Sequence, residues 1–124
     1  MTAKDVQRLD RLRDEVHDLR ERLRELQDAS IVSATIYSQA SGGGGTGDPV
    51  SRTATLLVDL EDKIIHGILE MVEIIDSIPN ERSRRIFMRR YINHCSWSEI
   101  ADEFGYKDPN YAARHVRRVK KAGF

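Results

Sequence analysis

The chain of 124 residues has one cysteine, three prolines, one tryptophan and seven residues that are Phe or Tyr. Each scarcity excludes something. A lone Cys95 leaves no disulfide within the chain, which fits a reducing cytoplasm. So few aromatics argue against an aromatic-rich β fold. No apolar run approaches the roughly 20 residues that span a bilayer. The opening residues, MTAKDVQRLD, are polar and charged, so no secretory signal is expected. Net charge is also absent, with 20 Lys/Arg against 20 Asp/Glu. That neutrality hides a division. From Pro79 onward there are 11 Lys/Arg against 5 Asp/Glu, whereas residues 1–78 carry 9 against 15. The chain is acidic in front and basic behind, and a basic helical module suggests a phosphate-backbone partner.

What is present is helical pattern. Leu9, Leu12, Val16, Leu19, Leu23 and Leu26 recur at alternating steps of three and four, the a/d seam of a coiled coil. The intervening positions are polar, so the stripe is narrow and needs a partner helix. The pattern predicts a helix over 1–28. Residues 29–50 read as a Ser/Gly-rich linker: SIVSATIYSQA has no helical period, and SGGGGTGDP is a flexible tract. Ile31, Val32, Ile36 and Tyr37 are more apolar than a simple linker requires.

A second long helix is expected over 51–78. Its polar stripe is Asp59, Asp62, Lys63, His66, Glu70 and Glu73. The rest, including Leu57, Ile64, Ile65, Ile68, Leu69, Met71, Val72 and Ile75, is apolar over a face wider than one seam needs. Two helices of about 25 residues, each about 37 Å long, suit an antiparallel hairpin. The spare apolar surface predicts self-association or docking of the C-terminal module. In a parallel dimer Arg8 would oppose Arg13 while Glu15 would attract Arg20, so charge gives no vote for that arrangement.

Residues 79–124 read as a helix-turn-helix. Pro79 and Asn80 suit the start of a helix over about Glu81 to Asn93, with Ile86, Phe87, Tyr91 and Ile92 inward and Arg82, Arg84, Arg85 and Arg89 outward. Ser96-Trp97-Ser98-Glu99 is a capping box for a short helix, Trp97 to Phe104, with Ile100 and Phe104 in the core and Gly105 ending it. Asp108 and Pro109 open the last helix, whose buried face is Ala112, Val116 and Val119. Its other side presents Asn110, Tyr111, Arg114, Arg117, Arg118 and Lys121. The first turn of a recognition helix meets base edges and later residues meet phosphates. Asn110, Tyr111 and Arg114 are therefore the candidate base readers, since Arg bonds guanine and Asn bonds adenine in two-point fashion. Arg117, Arg118, Lys120 and Lys121 are the candidate backbone contacts, and Ser98 and Lys107 complete the expected DNA-binding set. Trp97 reads as half-buried packing, and Tyr111 equally as packing on the preceding helix. Neither a metal site nor a cofactor is expected: His94 adjoins Cys95, but the other histidines are scattered. SGGGGTG is no phosphate loop, because no Lys-Ser/Thr pair follows it. No nucleophile–base pair or paired carboxylates suggest an enzyme.

The run from Ile78-Pro79-Asn80-Glu81-Arg82 through Arg90-Tyr91, Ser96-Trp97-Ser98-Glu99-Ile100-Ala101 and Phe104-Gly105 resembles region four of bacterial sigma factors. The whole layout, with its coiled coil, Ser/Gly bridge containing Gly-Asp-Pro-Val and apolar helix, is similar to phage and prophage regulators of the ArpU/RinA type. Arg89 departs from the sigma pattern, which has an apolar residue there, and the turn from Gly105 to Asn110 is about one residue longer. The resemblance implies a DNA-binding activator of late genes in a bacterial host cell, with RNA polymerase as a further partner. The expected architecture is all-α: a coiled-coil-like helical hairpin followed by a helix-turn-helix. The expected function is sequence-specific regulation of transcription. A small terminase subunit recognising phage DNA for packaging, or a helical protein-interaction module whose basic end meets an acidic protein, are the alternatives.

Overall fold

The computed structural model describes the backbone of residues 1–39 and 49–122, and the side chains of residues 1–29 and 52–122. Among the described residues it is all helix, with no strand. Helix α1 spans Ala3–Gln39, α2 Pro49–Asp76, α3 Glu81–Phe87, α4 Trp97–Phe104 and α5 Pro109–Ala122. A π-helical turn, Met88–Ile92, prolongs α3.

The expected end of the first helix at residue 28 is corrected: α1 continues for eleven more residues. Its extension, from Ala29 to Gln39, lacks a 3–4 apolar rhythm but contains neither Gly nor Pro. Propagating an existing helix adds one hydrogen bond per residue without a new nucleation cost, so β-branched residues can be carried along. The first part of the expected linker is therefore helix. The glycine tract, residues 42–47, lies outside the described residues, as do the side chains of Ile31, Val32, Ile36 and Tyr37.

The chain divides into two compact units. The first comprises Met1–Glu15 and Gly67–Phe124. Here α1 starts on a reciprocal cap: Thr2 N–H donates to the Asp5 carboxylate at 3.0 Å, and Asp5 N–H donates to Thr2 Oγ1 at 3.2 Å. The start of α1 lies by the end of α2, where Arg8 and Glu70 pair at 2.9 Å. Leu9, Leu12, Met71, Ile75 and Ile78 are buried in this unit together with Ile86, Phe87, Tyr91, Ile100, Ala101, Ala112, Val116 and Val119. Leu9 and Leu12 of the leucine seam thus belong to the core that also holds the C-terminal helices.

The second unit, Val16–His66, contains the remaining parts of α1 and α2. Val16 and Ile64 are buried there, whereas Leu19, Leu23 and Leu26 are only half-buried. The breadth of the apolar face on α2 is visible as exposure: Leu56, Val58 and Ile65 in this unit are more than half exposed, as is Leu69 in the first.

The three C-terminal helices follow their caps closely. The Asn80 side chain accepts from Ser83 N–H at 3.0 Å at the start of α3. Ser96 Oγ accepts from Glu99 N–H at 3.1 Å and starts α4. The return half of the expected capping box differs, because the Ser96 hydroxyl donates to the Glu99 carboxylate at 3.2 Å. Gly105 ends α4 at φ 72°, a left-handed conformation that glycine adopts without a Cβ penalty. Asp108 Oδ1 accepts from Asn110 N–H at 3.0 Å, with Pro109 as the first residue of α5. Helix α5 packs on both α3 and α4, and α4 packs on the π-helical turn. Ala101 of α4 is buried, at 2% exposed.

Candidate nucleic-acid interface

Helix α5 is buried along Ala112, Val116 and Val119. At 100° per residue, Asn110, Tyr111, Arg114, Arg117, Arg118 and Lys121 fall within an arc of about 120° on the opposite side. All six are exposed. Tyr111, Arg114, Arg117, Arg118 and Lys121 together line one open groove of about 420 Å³, and none of those lining residues is acidic. The predicted set is thus brought onto one helix face, with two members elsewhere. Ser98 is exposed in the first turn of α4, and Lys107 is exposed in the turn before α5.

One expected backbone contact is corrected. Lys120 Nζ pairs with Asp10 Oδ1 of α1 at 2.8 Å and is only 24% exposed. On α5 it lies away from the exposed arc, about 120° from Arg114. The same Asp10 oxygen accepts from the Tyr91 hydroxyl at 2.7 Å. Lys120 and Arg13 also stand 5.2 and 5.3 Å from the Tyr91 ring centroid. Burial, then the hydrogen bond to Asp10, pushes the Tyr91 phenol far up, so the hydroxyl stays a donor. Lys120 is a fastener between α1 and α5.

The arginines expected on the outside of the first helix also have structural work. Arg82 donates to the Phe104 carbonyl at 3.2 Å, satisfying an acceptor at the end of α4. Its guanidinium lies 4.9 Å from the Tyr106 ring centroid and 5.9 Å from that of Phe104. Arg85 stacks on Phe104 at 5.2 Å, and Arg89 pairs with Glu103 at 2.8 Å. Arg90 lies 4.1 Å over Trp97 and donates to the Cys95 carbonyl at 3.2 Å. Trp97 is accordingly half-buried packing. Tyr111 stacks on Tyr106, in the turn preceding α5, with ring centroids 6.1 Å apart.

His115, on the flank of α5, shares a 2.8 Å hydrogen bond with buried Ser83. Burial, followed by the charges of Arg118 and Arg82, holds its pKa below 6.5. The bond joins α5 to α3, and the downward shift favours the neutral imidazole. Desolvation and the nearby Glu99 carboxylate push the Cys95 thiol up, away from a reactive thiolate. Among the described residues, no three His, Cys, Asp or Glu side chains come together as metal ligands, and no helix is long and apolar enough to cross a membrane.

These fasteners escaped the sequence reading because their partners are remote, 22 residues away for Arg82 and 110 for Lys120. Local periodicity carries no signal for such pairs. The chain matches no protein-family model, no curated protein and no solved structure.

Proposed function

We propose that this protein is a sequence-specific, duplex-DNA-binding regulator of transcription, with α4 and α5 as its helix-turn-helix. The observation that carries the reading is the exposed arc on α5, where four cations line one groove, with a carboxylate, Asp108, against only Arg114 of the four. A helix about 10–12 Å across fits the major groove of B-DNA, about 12 Å wide. In that seating Asn110, Tyr111 and Arg114 meet base edges, while Arg117, Arg118 and Lys121 meet the phosphate rim. The sequence resemblance adds the setting of a phage or prophage late-gene activator in a bacterial cytoplasm, with RNA polymerase as its second partner. The test is binding of the full chain to duplex DNA over a salt series. A log–log slope of about −2.7 or steeper, about 0.9 for each of the three phosphate contacts, is expected. Salt-insensitive binding, or none, overturns the reading.

The reading includes self-association through α2, supported by the exposure of Val58, Ile65 and Leu69. Large open apolar surfaces mark association sites. Replacing Ile65 and Leu69 by Asp should lower the mass measured by light scattering while the far-ultraviolet spectrum stays helical, because both positions are exposed already. A wild-type chain that remains monomeric at high concentration sinks this part.

A further inference from the structure

We infer that Asp108 is a specificity-determining residue of the proposed DNA-binding helix: one carboxylate oxygen caps α5 while the other steers Arg114 toward a base and away from phosphate. The inference rests on the DNA-binding reading above. Asp108 Oδ1 accepts from Asn110 N–H at 3.0 Å, and its backbone carbonyl accepts from Tyr111 N–H at 3.0 Å. Those bonds fix the carboxylate against the first turn of the helix. Oδ2 then faces Arg114 Nη2 at 3.4 Å. On the aromatic side, Arg114 lies 5.2 Å from the Tyr111 ring centroid, and Tyr111 is itself stacked on Tyr106. Arg114 is therefore restrained by both a carboxylate and a ring, although its side chain is 56% exposed.

The chemistry gives this arrangement two consequences. A guanidinium has five N–H donors in a planar fork, so the Asp108 contact leaves others free for guanine O6 and N7. Holding a long side chain in place before binding lowers the rotamer entropy lost when it docks. The carboxylate also repels phosphate, penalising complexes in which α5 sits on the DNA backbone without reading bases. Asp108 should thus lower affinity for arbitrary DNA and raise it for a guanine-containing site.

Asp108→Asn separates the roles. Asn is about as good a cap as Asp, so the bond to Asn110 N–H can persist while the charge is lost. A duplex library with a randomised 20-base-pair core gives the preferred sequence of the full chain. Binding of the selected and scrambled duplexes is then measured for the wild type, Asp108→Asn, Arg114→Ala and the double variant, with thermal unfolding as a control on the cap. The expected result for Asp108→Asn is tighter binding to the scrambled duplex and about a tenfold fall in the selected-to-scrambled ratio, with preference relaxed at one guanine. In the Arg114→Ala background, the same substitution should leave the ratio unchanged, because the side chain it steers is gone. Equal weakening of both duplexes, or a fall in ratio independent of Arg114, makes Asp108 a cap alone and overturns the inference. If the wild type binds no duplex in the library, the DNA-binding reading itself fails.

Discussion

Replacing Arg117, Arg118 and Lys121 together by Ala should weaken duplex-DNA binding roughly a hundredfold at 0.15 M salt, whatever the DNA sequence. The size follows from counterion release. Each phosphate contact contributes about 0.9 to the log–log salt slope, so losing three flattens it by about 2.7. Extrapolated from 1 M to 0.15 M salt, that is about two decades of affinity. The fold should survive, because all three residues are exposed on the side of α5 opposite Ala112, Val116 and Val119. Lys120→Ala is the internal contrast. Its ammonium is held by Asp10, so its loss should affect stability more than the salt slope. If the triple variant retains the wild-type slope, the exposed arc is not a phosphate-binding surface. If Lys120→Ala flattens the slope as much as each outer cation, the Asp10 contact does not keep that lysine from DNA.

The parts of the molecule that were legible in its sequence are those encoded over a few residues. Asn80, Ser96, Gly105 and the Asp108-Pro109 pair marked the starts and ends of the C-terminal helices because each meets a backbone need within three positions. Ala112, Val116 and Val119 could be assigned to the core by helical spacing, which also placed all five groove residues on the opposite side. The extension of α1 was not legible, because an established helix can run through sequence that carries no amphipathic rhythm. Nor were the duties of the individual cations. Arg82, Arg89, Arg90, Lys120 and Arg118 are the same kind of residue in a helical pattern. Only tertiary structure distinguishes those engaged by Phe104, Glu103, Cys95 or Asp10 from Arg118, which lines the groove on α5. A net basic surplus therefore overstates the cations available to a phosphate backbone.

Asp10→Ala should destabilise the first unit by about 2 kcal/mol and at the same time strengthen non-specific DNA binding. The stability loss arises because Tyr91 and Lys120 both donate to this one carboxylate, at 2.7 and 2.8 Å. Hydrogen bonds to a charged group contribute about 1.5–3 kcal/mol, and partial exposure here screens that value. Burial works to raise the Asp10 pKa, but the hydrogen bonds from Lys120 and Tyr91 and the charges of Lys120 and Arg13 outweigh it, holding the carboxyl below 3.8. A carboxylate with a depressed folded-state pKa stabilises the fold above its unfolded pKa. That contribution is lost as pH falls through the folded value. Urea unfolding at a series of pH values should therefore show the gap between the wild type and Asp10→Asn fully present at pH 5–7. It should shrink below about pH 4. A gap that stays constant down to pH 2 would mean that the contribution does not come from the charged carboxylate. The DNA effect has the opposite sign, since removing Asp10 releases the Lys120 ammonium from its counter-charge. If the freed side chain reaches a phosphate, the salt slope should steepen by about 0.9. Loss of stability with an unchanged slope would confine Lys120 to joining α1 and α5; loss of stability with a steeper slope would show that Asp10 of the N-terminal helix limits the charge available to the basic head.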